Sequence, residues 1–216
     1  MMALAELLGG AETPTGLARA HVSHAEGERA ALVLGHGAGG GVSARDLVTA
    51  SEAGLARSVS VALVEQPYRV AGRRSPAPGS HLDAAWTAVV EELKETELHG
   101  LPLIVGGRSL GARVACRTAD AVGAIAVLCL AFPLLPPRRA TGKPTESRLR
   151  ELDDLTVPAL VVQGERDPFG MPPAGPLRTV TPVPGDHSLR TDLEAVRVAV
   201  DEWLRSVVGE LATTPQ

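Results

Sequence analysis

The chain has 216 residues, of which 44% are hydrophobic and only 2% aromatic, and it carries a net charge of −4. This net charge gives no indication of binding to nucleic acid or to an acidic membrane, and no apolar run approaches the ~20 residues needed to cross a bilayer. We therefore expect a soluble cytoplasmic protein with a core of Val, Leu and Ala. We also expect one domain over residues 1–216, with a frayed tail at 209–216.

Short apolar runs alternate along the chain with segments of helical period. The runs that predict strands are 17–25, 31–37, 61–67, 102–107, 124–132, 158–164 and 178–185. Most are nearly uninterrupted, which is typical of strands buried on both faces of a parallel sheet, whereas Pro182 places the last run at an edge. At most one strand is expected before residue 31.

Two segments, 81–98 and 190–208, place apolar residues on one face of a helix. Strands that alternate with helices predict an α/β fold with a doubly wound, mostly parallel sheet of about six or seven strands. The Pro-rich stretch 133–144 is expected to be a loop within the domain, and the segment 132–147 is too short for a cap domain.

In an open α/β sheet, binding and catalytic residues lie at the carboxyl ends of the strands. Ser109 follows the run 102–107, Asp167 follows the run 158–164, and His187 follows the last run. A serine hydroxyl needs an imidazole to accept its proton, and the imidazole needs a carboxylate to fix its tautomer. The three residues therefore predict a catalytic triad. Glu165 and Asp186 compete for the acid role, but Asp167 starts the loop directly after its strand.

The stretch Gly107-Arg108-Ser109-Leu110-Gly111 has the G-x-S-x-G pattern of a nucleophile elbow. The two glycines allow the following helix to turn back tightly on its strand, which leaves the serine strained and exposed. An acyl-transfer site also needs N–H donors for the oxyanion. Leu110 at the helix start is one candidate donor, and Ala38, with Gly39 in reserve, is the second. His36 is expected to brace this glycine-rich loop through its ring.

Six stretches together resemble the α/β-hydrolase superfamily over nearly the whole chain. They are GHGAGGG (35–41), EQPYRVAGRRSPAP (65–78), VGGRSLGARVAC (105–116), AFPLLPP (131–137), VVQGERDPFG (161–170) and PGDHSL (184–189). The closest resemblance is to the lidless branch related to dienelactone hydrolases, and within it to the group of the NSL chromatin-complex subunit and its testis-expressed relative. The resemblance implies an α/β-hydrolase fold without a cap and a triad of Ser109, Asp167 and His187.

The same glycines suggest a rival interpretation. Gly35 to Gly40 match the G-x-G-x-x-G pattern of dinucleotide-binding proteins, and Glu65 could hold a ribose. However, the next helix is expected to begin late, capped by Ser43, so that the glycines would not lie at its N-terminus. This interpretation also leaves the triad residues without a role.

Several arginines lie on segments expected near the mouth of the site: Arg69, Arg73, Arg74, Arg108, Arg138 and Arg139. Such arginines are usually surface ion-pair partners. Arg69 and Arg108, with Tyr68, are nevertheless candidates for binding a substrate that carries a carboxylate or phosphate.

The sequence therefore predicts a serine hydrolase for a small ester, thioester or related acyl substrate, which needs no metal and no organic cofactor. The alternative is a non-catalytic module that binds a protein partner, because this fold can be kept for binding alone.

Overall fold

The structure is a computed structural model that describes residues 6–7, 11–136 and 146–211. Within these residues the strands are β1 (Glu6–Leu7), β2 (Ala11–Thr13), β3 (Gly16–Ser23), β4 (Ala30–Gly35), β5 (Val59–Glu65), β6 (Leu103–Arg108), β7 (Ala126–Leu130), β8 (Ala159–Gly164) and β9 (Arg178–Val183). The helices are α1 (Arg45–Leu55), α2 (Pro67–Val70), α3 (Gly79–Glu95), α4 (Leu110–Thr118), α5 (Leu149–Asp153) and α6 (Leu193–Leu211).

One sheet runs through the molecule in the order β1-β3-β5-β4-β6-β7-β8-β9, and β2 pairs with β3 outside this path. All neighbours from β5 to β9 are parallel, whereas β3 joins β5 and β1 joins β3 in antiparallel pairs. The predicted mostly parallel α/β sheet is thus confirmed, and β9, which contains Pro182, lies at its edge as predicted. Because the strands are parallel, the loops that follow β4, β6, β8 and β9 open at the same edge of the sheet.

Helices cover both faces of the sheet. Those that pack on one face with the β2–β3 hairpin are α3 and α4, and those on the other face are α1 and α6. The apolar stripe predicted for 81–98 is buried in α3, where Trp86 is fully inaccessible to solvent. The stripe predicted for 190–208 is buried through Val196, Val200 and Val207, while Trp203 is only partly buried.

The prediction of at most one strand before residue 31 was wrong, because three strands precede it. The two that were missed, β1 and β2, have two and three residues, too few to show an alternating pattern. They exist because both pair with the longer β3. The helices α2 and α5 were missed because they have four and five residues, too few to show a helical period.

Only residues 131–148 separate β7 from α5, which leaves no room for a cap domain. Of the predicted loop 133–144, residues 133–136 have no regular structure and the rest lie outside the described residues. Helix α6 continues to Leu211, so residues 209–211 of the expected frayed tail are helical, and 212–216 are not described. Within the described part of the chain, no helix combines the length and apolar character of a membrane span.

Candidate active site

Ser109 occupies the sharp turn between β6 and α4. Its backbone has φ 52° and ψ −105°, a conformation that is strained for a residue with a side chain. The backbone N–H of Ser109 donates to the carbonyl of Leu130 at 2.9 Å, which anchors the turn to the end of β7. The strand-to-helix turn predicted from the G-x-S-x-G pattern is therefore present.

The glycines on either side of this turn allow close backbone packing. A Cβ on Gly111 would lie 2.2 Å from the carbonyl oxygen of Gly35, and one on Gly107 would lie 2.4 Å from the same atom. Any side chain at either position would push α4 away from β4. The packing role predicted for the two glycines is confirmed.

His187 lies between Ser109 and Asp167. Its Nε2 is 2.9 Å from Ser109 Oγ, and its Nδ1 is 2.8 Å from Asp167 Oδ2. An ionised carboxylate can only accept, so Nδ1 carries the proton and Nε2 is left to accept from the serine hydroxyl. The Asp167 side chain is 1% exposed and that of His187 is 20% exposed, so the imidazole is the more open member of the pair. The structure thus brings the three predicted triad residues into one hydrogen-bonded chain.

Asp167 is held by donors in addition to His187. The backbone N–H of Phe169 donates to Oδ1 at 2.8 Å, and Gln163 Nε2 donates to Oδ2 at 2.8 Å. The Phe169 ring also packs edge-on against His187, with ring centroids 4.5 Å apart. These contacts fix the carboxylate and the imidazole relative to each other.

Gln163 was not identified from the sequence. Its side chain is fully buried in β8, and Nε2 also donates to the carbonyls of Phe132 and Gly170. The available signal was an amide within the otherwise apolar run PALVVQG, four residues before the acid. A buried amide in such a run needs hydrogen-bond partners and therefore indicates a polar neighbour.

The two other candidates for the acid, Asp186 and Glu165, do not pair with His187 in the described part of the chain. Asp186 Oδ1 accepts hydrogen bonds from the hydroxyl and the backbone N–H of Ser188, and these bonds lower the pKa of the Asp186 carboxyl. Glu165 is exposed. Within the described part of the chain, neither carboxylate forms a hydrogen bond or an ion pair with His187.

Three backbone N–H groups at the site lack a protein acceptor. They belong to Ala38, Gly39 and Leu110, and among the described residues none of them donates a hydrogen bond. Ala38 and Leu110 are half-buried and Gly39 is exposed. Free N–H groups beside a serine are what an oxyanion hole requires.

His36 fixes the peptide that carries the Ala38 N–H. Its Nδ1 donates to the Gly37 carbonyl at 2.9 Å, and its Nε2 accepts the N–H of Gln66 at 3.1 Å. In a trans peptide the carbonyl and the next N–H point in opposite directions, so holding the Gly37 oxygen also aims the Ala38 N–H. Burial lowers the pKa of His36, which keeps the ring neutral, with the Nδ1 proton that this arrangement needs. The predicted bracing role is confirmed.

Tyr68 holds the next peptide in the same way. Its hydroxyl donates to the Ala38 carbonyl at 3.0 Å, and its ring packs edge-on against His36. The fixed Ala38 oxygen aims the N–H of Gly39. Tyr68 is buried, and this burial raises the pKa of its hydroxyl. The residue predicted as a substrate contact is therefore engaged with the glycine-rich loop.

Arg108 connects three parts of the site. Its Nε forms an ion pair with Asp46 Oδ2 at 2.8 Å, and its Nη2 donates to the backbone carbonyl of His187 at 3.1 Å. It also packs so closely on Gly37 that a Cβ there would lie 2.8 Å from Nη1. Asp46, on α1, is 1% exposed, and burial raises its pKa although Arg108 opposes this shift. Asp46 was missed because its partner is distant in sequence.

The other arginines differ in placement. Arg69 is half-buried on α2, and Arg73 and Arg74 are exposed. Within the described part of the chain, none of these three forms an ion pair with a carboxylate. Arg138 and Arg139 lie outside the described residues.

The dinucleotide interpretation of the glycine-rich loop was wrong. Helix α1 begins at Arg45, five residues after Gly40, so the glycines do not lie at its N-terminus. Its N-cap is Ala44 rather than the predicted Ser43, and no side chain caps it. Glu65 ends β5 beside His21, with 3.3 Å between its Oε2 and the imidazole Nε2.

The alpha/beta hydrolase domain family matches residues 28–196. Among solved structures, an α/β serine hydrolase without a lid from Xanthomonas campestris has a TM-score of 0.74 and 18% identity over 100% of this chain and 99% of its own. A dienelactone hydrolase from Anabaena variabilis has a TM-score of 0.73 and 13% identity over 93% of this chain and 97% of its own. An α/β serine hydrolase homologue from Coxiella burnetii has a TM-score of 0.73 and 15% identity, with 94% and 99% covered. No curated protein matches the chain.

Proposed function

This chain belongs to the alpha/beta hydrolase domain family, and from that premise we propose that it is a serine hydrolase that cleaves a small ester, thioester or related acyl substrate. The observation that carries the proposal is the continuous hydrogen-bonded chain from Ser109 through His187 to Asp167. A serine in an ordinary turn has no need of an imidazole and a buried carboxylate behind it.

In the proposed reaction, Ser109 Oγ attacks the acyl carbon while His187 Nε2 takes the hydroxyl proton. Asp167 holds the ring in the required tautomer and stabilises the imidazolium that forms. His187 then gives the proton to the leaving oxygen or sulfur, and the acyl group stays on the serine. A water molecule activated by His187 attacks the acyl-enzyme, which releases the acid and restores the serine.

The negative charge that develops on the substrate oxygen is assigned to the N–H groups of Leu110 and Ala38. Their directions are set before substrate arrives, because Leu110 begins α4 and the Ala38 peptide is held by His36. Preorganised donors of this kind stabilise the transition state without reorganising during the reaction. Gly39, aimed by Tyr68, is the reserve donor.

The substrate is proposed to have a short acyl chain, since the segment between β7 and α5 is too short for a cap that would enclose a long one. The proposed relatives within the superfamily are the lidless dienelactone-hydrolase-like proteins, and among them the NSL-subunit group. That group is the reason to carry a non-catalytic alternative, in which the fold is kept only to bind a protein partner.

Labelling with a fluorophosphonate probe tests the proposal directly. The probe reacts with a serine that a histidine activates, and its tetrahedral phosphoryl oxygen fits an oxyanion hole. We expect the folded protein to be labelled at Ser109, and labelling to disappear in Ser109→Ala and in His187→Ala. Near-ultraviolet circular dichroism checks that both variants remain folded.

Ser58 offers a matched control, because it is also a half-buried serine with positive φ, at 58°. Within the described part of the chain Ser58 forms no hydrogen bond with a histidine, so Ser58→Ala should label like the unchanged protein. A folded protein that takes no label would favour the binding module. If Ser109 is labelled, turnover on a panel of p-nitrophenyl and coenzyme A esters identifies the acyl group that the protein cleaves.

A further inference from the structure

A cavity of about 460 Å³ lies between the β2–β3 hairpin, α2 and the start of α3. Its volume falls within the range of small-molecule sites. Its apolar lining residues are Leu17, Pro67, Val70, Ala71, Ala77 and Leu82. Ser109, Asp167 and His187 are not among its described lining residues, so the cavity is separate from the candidate active site.

Gln66 gives this cavity a fixed wall. The residue is 5% exposed, and its Nε2 donates to the carbonyl of Leu82 at 3.2 Å. A carbonyl can only accept, so the orientation of the amide is fixed. Among the described residues Oε1 has no donor, and it is buried by protein atoms rather than open to the cavity. The bond from Gln66 to Leu82 ties the start of α2 to α3, and both elements line the cavity.

The open side of the cavity favours an anion. Arg73 lines it, is exposed, and has no carboxylate partner within the described part of the chain. His81 lines it from the first turn of α3, and that turn has neither an acidic residue nor a side-chain cap. The free N–H groups of a helix N-terminus add positive potential. The described lining contains no carboxylate.

We propose that this cavity binds a small amphipathic anion. The apolar body of the ligand contacts the hydrophobic wall, and an acidic group meets Arg73 and His81. A neutral lipid tail would leave the arginine without a partner.

Tyr68 connects this cavity with the candidate active site. Its ring lines the cavity, and its hydroxyl holds the Ala38 carbonyl in the glycine-rich loop. A ligand that presses on Tyr68 is expected to change the direction of the Gly39 N–H group, because the Ala38 carbonyl and that N–H belong to one peptide. Occupancy of the cavity is therefore expected to alter hydrolysis at Ser109, a consequence that rests on the proposed function, whereas the binding itself does not.

The probe for this site is 6-anilino-2-naphthalenesulfonate, which has an apolar body, one N–H donor and a sulfonate, and which fluoresces when it leaves water. Binding is measured in the full-length Ser109→Ala protein, so that it does not depend on catalysis. We expect saturable binding of one probe per chain. Arg73→Gln should raise Kd by about fivefold or more, since it removes a charge-assisted contact.

Arg74→Gln is the matched control, because Arg74 is the neighbouring exposed arginine and does not line the cavity. Its Kd should stay within about twofold of the parent value. Ala77→Phe fills the cavity from a half-buried position near its rim and should abolish binding in a protein that is still folded.

The proposal is overturned if Kd is the same in Arg73→Gln and Ala77→Phe as in the parent protein. It is also overturned if Arg74→Gln raises Kd as much as Arg73→Gln does, because the sulfonate would then not be held by the arginine that lines the cavity. If the proposed function is wrong but the cavity proposal holds, the folded protein binds the naphthalenesulfonate and takes no fluorophosphonate label.

Discussion

Arg108 and His187 are joined by a hydrogen bond from the guanidinium Nη2 to the backbone carbonyl of the histidine, at 3.1 Å. Arg108 directly precedes Ser109, so one residue ties the loop that carries His187 to the turn that carries Ser109. The ion pair with the buried Asp46 keeps the guanidinium in place. This arrangement favours a positioning role for Arg108 over direct binding of an anionic substrate.

Arg108→Gln is therefore expected to lower kcat by about tenfold for neutral and acidic esters alike, because the loss of one positioning contact displaces His187. Kinetics with a matched pair of substrates, one neutral and one carrying a carboxylate, measure this effect. A rise in KM for the acidic ester alone would contradict the positioning role and would indicate that Arg108 binds the substrate. Arg69→Gln serves as the comparison, since Arg69 has no carboxylate partner within the described residues.

Replacement of the acid should be far more harmful than replacement of its neighbours. Asp167→Asn is expected to lower kcat by about 10³–10⁴-fold, the scale reached when the carboxylate of a serine-protease triad is replaced, because the histidine tautomer is no longer fixed. Glu165→Gln and Asp186→Asn should each cost less than about tenfold. A larger loss of kcat in either of these two variants would assign the role of the acid to the residue replaced in it.

Gln163 supports both the acid and the fold. Gln163→Leu leaves the carbonyl of Gly170 without a donor among the described residues and removes one donor from Asp167, whereas the carbonyl of Phe132 keeps the N–H of Leu134. Each buried acceptor left unpaired costs about 1–3 kcal/mol, so we expect a lower free energy of unfolding together with a kcat reduced by about tenfold. Urea denaturation and steady-state kinetics check the two effects. An unchanged kcat would show that Asp167 is held well enough by Phe169 and His187.

His36 should make stability depend on pH. Burial lowers its pKa below the ordinary value of 6.5, so below that pH the unfolded chain binds a proton that the folded chain does not. The free energy of unfolding therefore falls as the pH drops below about 6.5. His36→Asn keeps an N–H donor for the Gly37 carbonyl but does not titrate, and it should lose less stability between about pH 7 and about pH 5. Equal losses in urea melts of the two proteins would contradict the burial argument.

The short connection between β7 and α5 leads to a prediction about substrate length. Little apolar wall surrounds an acyl chain when no cap is present, so kcat/KM should be higher for butyrate than for palmitate p-nitrophenyl esters. The comparison is made without detergent and below the concentration at which the palmitate ester aggregates. Faster cleavage of the palmitate ester would contradict this prediction.

Much of the fold and of the candidate site could be predicted because their signals are local. Ser109 lies in a five-residue pattern, and Asp167 and His187 each follow a strand whose apolar run is visible in the sequence. The supporting contacts could not be found in this way. Asp46 pairs with Arg108 across 62 positions in sequence, and Tyr68 reaches Ala38 across 30, so only the folded backbone brings them together. Strand β2 was missed because it owes its structure to pairing with β3.

Under the proposed function, the chain order of Ser109, Asp167 and His187 determines when Ser109 gains its base during synthesis. The elbow around Ser109 is complete once α4 ends at Thr118, but Asp167 and His187 follow β8 and β9. A nascent chain that has left the ribosome only as far as β7 therefore carries a serine with no base, and this hydroxyl is an unactivated alcohol. In the proposed mechanism, Ser109 therefore gains its base only after β9 has been synthesised and the turn that carries His187 has followed it.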